Sequence, residues 1–149
     1  MLYVMYESCM KKQALIKTLF EQCTTEELKY QKIIELGRAS PPLSLTEKTP
    51  QNIVKGCQSI MHLSSNCKDN AVFFAAESDA LISAGLAEIL IKVYSGEDPE
   101  TILKCPPTYL EELGIGASLT PSRANGLYSI HLRMKQDALK FYMESQKSP

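Results

Sequence analysis

The chain lacks an excess of charge of either sign. Its 16 Lys and Arg residues stand against 17 Asp and Glu, a formal net charge of -1 at pH 7 with an isoelectric point near 6.1. Nothing in that balance draws it towards phosphate backbones or anionic membranes, so neither nucleic acid nor a membrane is expected as a partner. It also lacks a long apolar run. Leu2 to Tyr6 is too short and Leu86 to Tyr94 is interrupted by Glu88 and Lys92, whereas a membrane-spanning helix takes about 20 apolar residues. Met1 to Tyr6 has no basic flank and no long apolar core of the secretory kind, and the expectation is a soluble, cytoplasmic protein. Internal repeats and low-complexity segments are missing too. What is present is 149 residues, 44% of them apolar and 22% charged, which suits one domain over residues 1–149 with a buried core.

The five cysteines, at 9, 23, 57, 67 and 105, form no C-x-x-C pair, and their odd number cannot pair completely within one chain. A disulfide framework is not expected. The two histidines, His62 and His131, are not spaced like partners in a zinc pattern, so neither a metal site nor a resident cofactor is expected. In a reducing compartment each cysteine defaults to a small buried hydrophobe, and a special one is told by its surroundings.

Hydrophobic periodicity sets out the elements. Leu15, Ile16, Leu19, Phe20 and Cys23 share one face of a first helix that stops at Thr24. Thr24 with Glu27 reads as a capping box opening a second helix, with Leu28, Ile33 and Ile34, that ends at Gly37. Arg38 to Pro50, with three prolines, predicts an extended connector. Three short β runs follow, Ile53-Val54, Ile60 to Ser65 and Ala71 to Ala76, with Cys67 to Asn70 as the polar turn between the last two.

Ser78 or Asp79 is placed to cap a central helix with a wide apolar stripe (Leu81, Ile82, Gly85, Leu86, Ile89, Leu90, Val93), closed by Gly96. Asp98-Pro99 opens a short helix to about Cys105, and Tyr109 to Leu113 forms another. Thr120-Pro121 opens a long amphipathic helix carrying Leu127, Ile130, His131, Met134, Ala138 and Phe141.

Among the residues able to carry chemistry, Cys57 has the most unusual context, Val54-Lys55-Gly56-Cys57-Gln58-Ser59, at a glycine break between β runs. A cysteine acts through its thiolate, which nearby cations or amide donors stabilise. In a continued strand Lys55 projects on the same side as Cys57; a packed core cysteine and a solvated lysine are the ordinary alternatives. Arg123 falls at the third position of the last helix, where a cation opposes the helix dipole, so an anionic partner, or plain solvent exposure, accounts for it. Asp79 is a candidate by chemistry. His62 and His131 read as core or boundary residues, and a Cys57/His131 hydrolase dyad has no supporting motif.

Three segments in order, Asn52 to Ser59 with its Gly-Cys-Gln-Ser, Glu77-Ser78-Asp79-Ala80, and Leu119-Thr120-Pro121-Ser122-Arg123-Ala124-Asn125-Gly126-Leu127, together resemble the signatures of the SufE family of cysteine desulfuration accessory proteins. Ile34 to Gly37 with Pro41-Pro42, and the helix end Tyr94-Ser95-Gly96, extend the likeness over nearly the whole chain. The resemblance implies an α+β fold shared with iron-sulfur scaffold proteins, a three-stranded antiparallel sheet packed on one side by helices. It implies that Cys57 accepts sulfane sulfur from the persulfide of a pyridoxal-phosphate cysteine desulfurase (SufS-like) and passes it to a scaffold complex (SufBCD-like). By the same resemblance Gln58 and Ser59 flank the nucleophile, Asp79 and Arg123 fall at positions that shape the loop and the docking surface, and Gly56 and Asn125 are further supporting positions. On this reading Cys57 rests partly sheltered and swings outward when the desulfurase docks, and the chain is a partner of an enzyme rather than one itself.

Two residues depart from the family pattern: His62 stands where a tryptophan is common and Glu77 replaces an aspartate. Cys9, Cys23, Cys67 and Cys105 match no required position, and Cys67 in its polar turn is the plausible competitor for sulfur. A cluster scaffold is the alternative from a different class, though it normally takes about three or more thiolate or imidazole ligands converging on iron.

Overall fold

The computed structural model describes residues 5–116 and 119–147. The architecture is α+β. Helices α1 (Glu7–Leu19) and α2 (Glu26–Arg38) lead into a linker with two single 3-10 turns, Leu45–Glu47 and Pro50–Asn52. A β-hairpin follows, β1 (Met61–Lys68) and β2 (Ala71–Ser78), then α3 (Leu81–Tyr94), the short α4 (Pro99–Lys104) and α5 (Thr108–Glu112), and the long α6 (Pro121–Lys147).

The hairpin forms where alternation and turn chemistry agree. Asp69 and Asn70, at φ 52° and 62°, make the left-handed two-residue loop that matches strand twist. The register pairs Leu63 with Ala76 and Ser65 with Phe74. Met61, Leu63, Val72, Phe74 and Ala76 are therefore buried on one face, and His62 and Glu77 face each other on the opposite one.

The expected third strand is absent. Ile53 makes a single bridge to His62, and Val54 N–H donates to the Met61 carbonyl at 2.8 Å. Two local features stop the run: the 3-10 turn at Pro50–Asn52 before it and Gly56 at φ 93° after it. Arg133 of α6 also takes one carbonyl of the run, donating to Ile53 O at 3.2 Å, and one of the turn before it, donating to Gln51 O at 2.7 Å. The sheet of the described residues has two strands.

Helix α3 is the centre of the core. Ile82, Leu86, Ile89, Leu90, Val93 and Tyr94 are all buried along it, and it packs against α2, β2, α1 and α6. Its crossing with α2 is a backbone contact. A Cβ placed on Gly37 would lie 2.0 Å from the Leu81 carbonyl oxygen, and one on Gly85 would lie 1.9 Å from that of Ile33. Gly37 is thus a contact residue inside α2 and not its terminator.

Three further expectations shift. The buried stripe of α1 is Cys9, Gln13, Ile16 and Phe20, leaving Leu15 67% exposed; a glutamine can join that stripe because its amide is satisfied inside, donating to Pro106 O at 2.9 Å. Thr25, not Thr24, caps α2, accepting from Leu28 N–H at 3.1 Å. Asp79 does not cap α3, whose flanking residue Ala80 has no side-chain cap. The Asp98-Pro99 cap, with Thr101 N–H donating to Asp98 Oδ1 at 2.7 Å, and the opening of α6 after Thr120 stand as read.

Candidate functional site

Cys57 sits just after the left-handed Gly56, between the Ile53 bridge and β1. The turn requires glycine twice over. Its φ is one that side chains rarely adopt, and an added Cβ would come within 2.4 Å of Ser129 Oγ on α6. The chain reverses there, so the strand argument that put Lys55 beside Cys57 does not hold. Lys55 lines a neighbouring groove with Ser129, Leu132 and Arg133, whereas Cys57 lines a cleft of about 270 Å³ between α3 and α6.

That cleft is apolar at its floor, with Leu86 and Ile130, and polar at its walls, with Ser59, Ser83, Ser122 and Arg123. The first turns of two helices meet in it, Ala80 and Ser83 from α3 and Ser122 and Arg123 from α6. Helix N-termini favour negative charge. Cys57 is half-buried, and its thiol donates to the Gly126 carbonyl of α6 at 3.8 Å. Burial pushes the thiol above its ordinary range, which keeps it protonated at rest. Gly126 leaves the space beside the sulfur open, since a Cβ there would lie 3.9 Å from Cys57 Sγ.

The other sequence candidates divide. Gln58 is exposed at the cleft and Ser59 lines it. Arg123 lines it as well, with its guanidinium 5.9 Å from the centre of the Tyr30 ring, so α2 helps to aim it through a cation–π contact. Asp79 stands outside the cleft and braces the loop: its Oδ1 accepts from Ile60 N–H at 3.1 Å, while its own N–H donates to Ile60 O at 3.3 Å. Asn125 is exposed and does not line the cleft.

His131 is not among the lining residues; its ring stacks on Tyr94 at 5.4 Å, and burial, helped by Lys135, pushes its pKa down to about 4. Among the described residues, no three of His, Cys, Asp and Glu converge as metal ligands. Sequence reasoning missed Ser83, Tyr30 and Ser129, which lie in no motif. It quoted Gly126 without a role; glycine within a helical apolar stripe was the available signal.

The two departures, His62 and Glu77, turn out to be direct cross-strand neighbours. The longer glutamate pairs with Lys48 and accepts from Leu43 N–H at 2.8 Å, and these contacts, with a smaller contribution from His62, hold its carboxyl below the usual range. The pair binds the linker to the hairpin away from the cleft.

Comparison with known proteins agrees with the motifs. The family model of SufE, the Fe-S metabolism associated domain, matches residues 14–138. An uncharacterised SufE-like protein of Synechocystis sp. is 32% identical over 130 residues, 87% of this chain and 82% of that protein. The SufE-like protein 1 of Arabidopsis thaliana, named as chloroplastic/mitochondrial, is 32% identical over 138 residues, covering 92% of this chain but only 37% of the plant protein's length. The solution structure of a hypothetical protein from Thermus thermophilus shares the fold, with a TM-score of 0.70 at 24% identity over 87% of this chain and 94% of that one. No helix among the described residues is long and apolar enough to cross a membrane. A family-model match over residues 14–138, with two relatives at 32% identity, makes this chain a member of the SufE family of iron-sulfur metabolism.

Proposed function

We propose that the chain is a sulfur acceptor in iron-sulfur cluster assembly, working as one domain in the cytoplasm, and that Cys57 is the acceptor. The observation that carries this is the setting of Cys57: a half-buried thiol on a glycine-hinged loop, facing a cleft with room beside the sulfur. The donor is the persulfide of a SufS-like cysteine desulfurase. The Cys57 thiolate attacks its outer sulfur, the donor's S–S bond breaks as a new S–S bond forms, and the electron pair leaves on the donor cysteine. Thiol and persulfide exchange one sulfur and no net electrons, and the proton lost by Cys57 is balanced at the departing thiolate.

Arg123 and the two helix ends stabilise the anion that this step needs, while Gly56 and Asp79 hold the loop in place. Gln58 and Asn125, both exposed, belong to the docking surface, and the sulfur then passes to a SufBCD-like scaffold. This makes the chain a partner that clears and so stimulates the desulfurase, whose cofactor does the bond breaking. Two other readings find less support. A self-assembling cluster scaffold needs several converging ligands, and Cys57 has no such group around it among the described residues. A hydrolase dyad needs His131 at Cys57, and His131 is turned onto Tyr94.

The test is incubation with a cysteine desulfurase and free cysteine, followed by intact mass and site mapping. One added sulfur on Cys57, lost in Cys57→Ser, is expected. Sulfur on Cys67 with none on Cys57 overturns the assignment.

A further inference from the structure

The Cys57 loop is fastened to the start of α3 by a chain of hydroxyls. Ala80 N–H donates to Ser78 Oγ at 3.2 Å, the Ser78 hydroxyl to Ser59 Oγ at 3.3 Å, and the Ser59 hydroxyl to Ser83 Oγ at 2.7 Å. Each donor in such a chain polarises the next. The Asp79–Ile60 pair braces the same loop from outside the cleft. The hydroxyl chain instead ends inside it, because Ser59 and Ser83 both line the cleft with Cys57. Serine at the third position of a helix offers no propensity advantage over alanine, so the Ser59 contact is what accounts for the hydroxyl of Ser83.

We infer that Ser83 is a positioning residue: its hydroxyl latches Ser59, holds the adjoining Cys57 in the cleft against Gly126, and must be released before the thiol reaches a partner's sulfur. Its purpose rests on the proposed sulfur transfer, but the latch is a property of the isolated chain. Release changes reactivity twice over. The sulfur becomes accessible, and its acidity, weakened by burial, returns towards that of an ordinary thiol, raising the thiolate fraction. Displacing this hydrogen bond, the shortest of those that fasten the loop, is therefore one step by which docking turns a sheltered thiol into a nucleophile.

The experiment is the rate of Cys57 alkylation by iodoacetamide in the full chain, mapped by mass, with the exposed Cys67 as internal reference. In Ser83→Ala the Cys57 rate rises about fivefold relative to Cys67, the value of one net hydrogen bond, and its pH profile moves to lower pH. Ser83→Thr, which keeps the hydroxyl, stays near the parent. An unchanged ratio and pH profile in Ser83→Ala overturns the latch, as does Ser83→Thr behaving like Ser83→Ala. If Ser83→Ala unfolds, shown by alkylation of the buried Cys9 and Cys105, Ser59→Ala cuts the same bond from the loop side and must accelerate Cys57 alone; an unchanged rate there also overturns it. The two claims fail separately. Sulfur that lands on Cys57 with unchanged alkylation rates overturns the latch only, and faster alkylation without sulfur uptake overturns the transfer.

Discussion

The molecule keeps thiols in two contrasting regions. Cys9 and Cys105 lie in the core between α1 and the end of α4, 0% and 2% exposed, sharing the Gln13 amide, which donates to their sulfurs at 3.9 and 3.7 Å. The Cys105 thiol is turned onto the Met10 sulfur at 3.7 Å. Cys57 lies on a loop, half-buried, with open space beside it and helix ends and a cation around it. Burial raises the pKa in both regions, so the direction of the shift does not separate the proposed acceptor thiol from a structural one. What distinguishes them is the cost of exposure. Cys57 needs a loop to move, and the core pair needs α1 to leave.

The largest effect that separates the regions is in native-state alkylation. Cys67 and Cys57 are expected to react in the folded protein while Cys9 and Cys105 label at least about a thousandfold more slowly, since reaching them takes opening of the core. Comparable rates at Cys57 and Cys105 in peptide-mapped time courses break the comparison.

Next is the pH response of the core side, where His131 stacks on Tyr94 and the Tyr94 hydroxyl donates to Cys105 O at 2.7 Å. His131 is held neutral, with its pKa pushed down to about 4. The unfolded chain therefore binds a proton that the folded chain refuses, and the associated stability is full above about pH 6.5 and is lost as pH falls towards 4, by about 3 kcal/mol. Urea unfolding across that window is expected to flatten in His131→Phe, and an equal slope in both proteins counts against burial of a neutral ring. Cys57 sulfur uptake at neutral pH is expected to be indifferent to this substitution.

Smaller still, Cys105→Ala removes a packed sulfur and is expected to cost about 1–2 kcal/mol without altering sulfur acquisition. The smallest change in stability belongs to Gly126→Ala. Helix propensity gains up to about 1 kcal/mol there, and the new methyl makes only ordinary contact with Cys57 at 3.9 Å. It fills the room an added sulfur would take, so a shorter lifetime of the Cys57 persulfide towards a mild reductant is expected. An unchanged lifetime shows that the extra sulfur points elsewhere.

Much of this was legible from residue order. Asp98-Pro99, Thr120-Pro121 and the α3 stripe each carry a local physical signature; the polar turn read over Cys67 to Asn70 narrows to Asp69-Asn70, with Cys67 and Lys68 paired in β1, and the three motifs single out Cys57, Asp79 and Arg123 as candidates. What could not be read lies between elements. Ile53-Val54 has strand composition, but the Ile53 carbonyl is taken by Arg133, 80 residues away. Gly37 followed a helical pattern and so resembled a terminator, when its reason for being glycine is Gly85 and Leu81 of another helix. Ser83 sits among apolar residues in the first turns of α3, and only the folded loop shows what it holds.

The Gly37–Gly85 crossing bears on how the cleft works. A joint made of two touching main chains contains no rotamers to slip, so α2 and α3 behave as one rigid jaw, carrying Tyr30, which steadies Arg123, together with Ser83. With that jaw fixed, the aperture over Cys57 is left to α6 and the short stretch from Lys55 to Ile60, and sequence change in that stretch leaves the frame untouched.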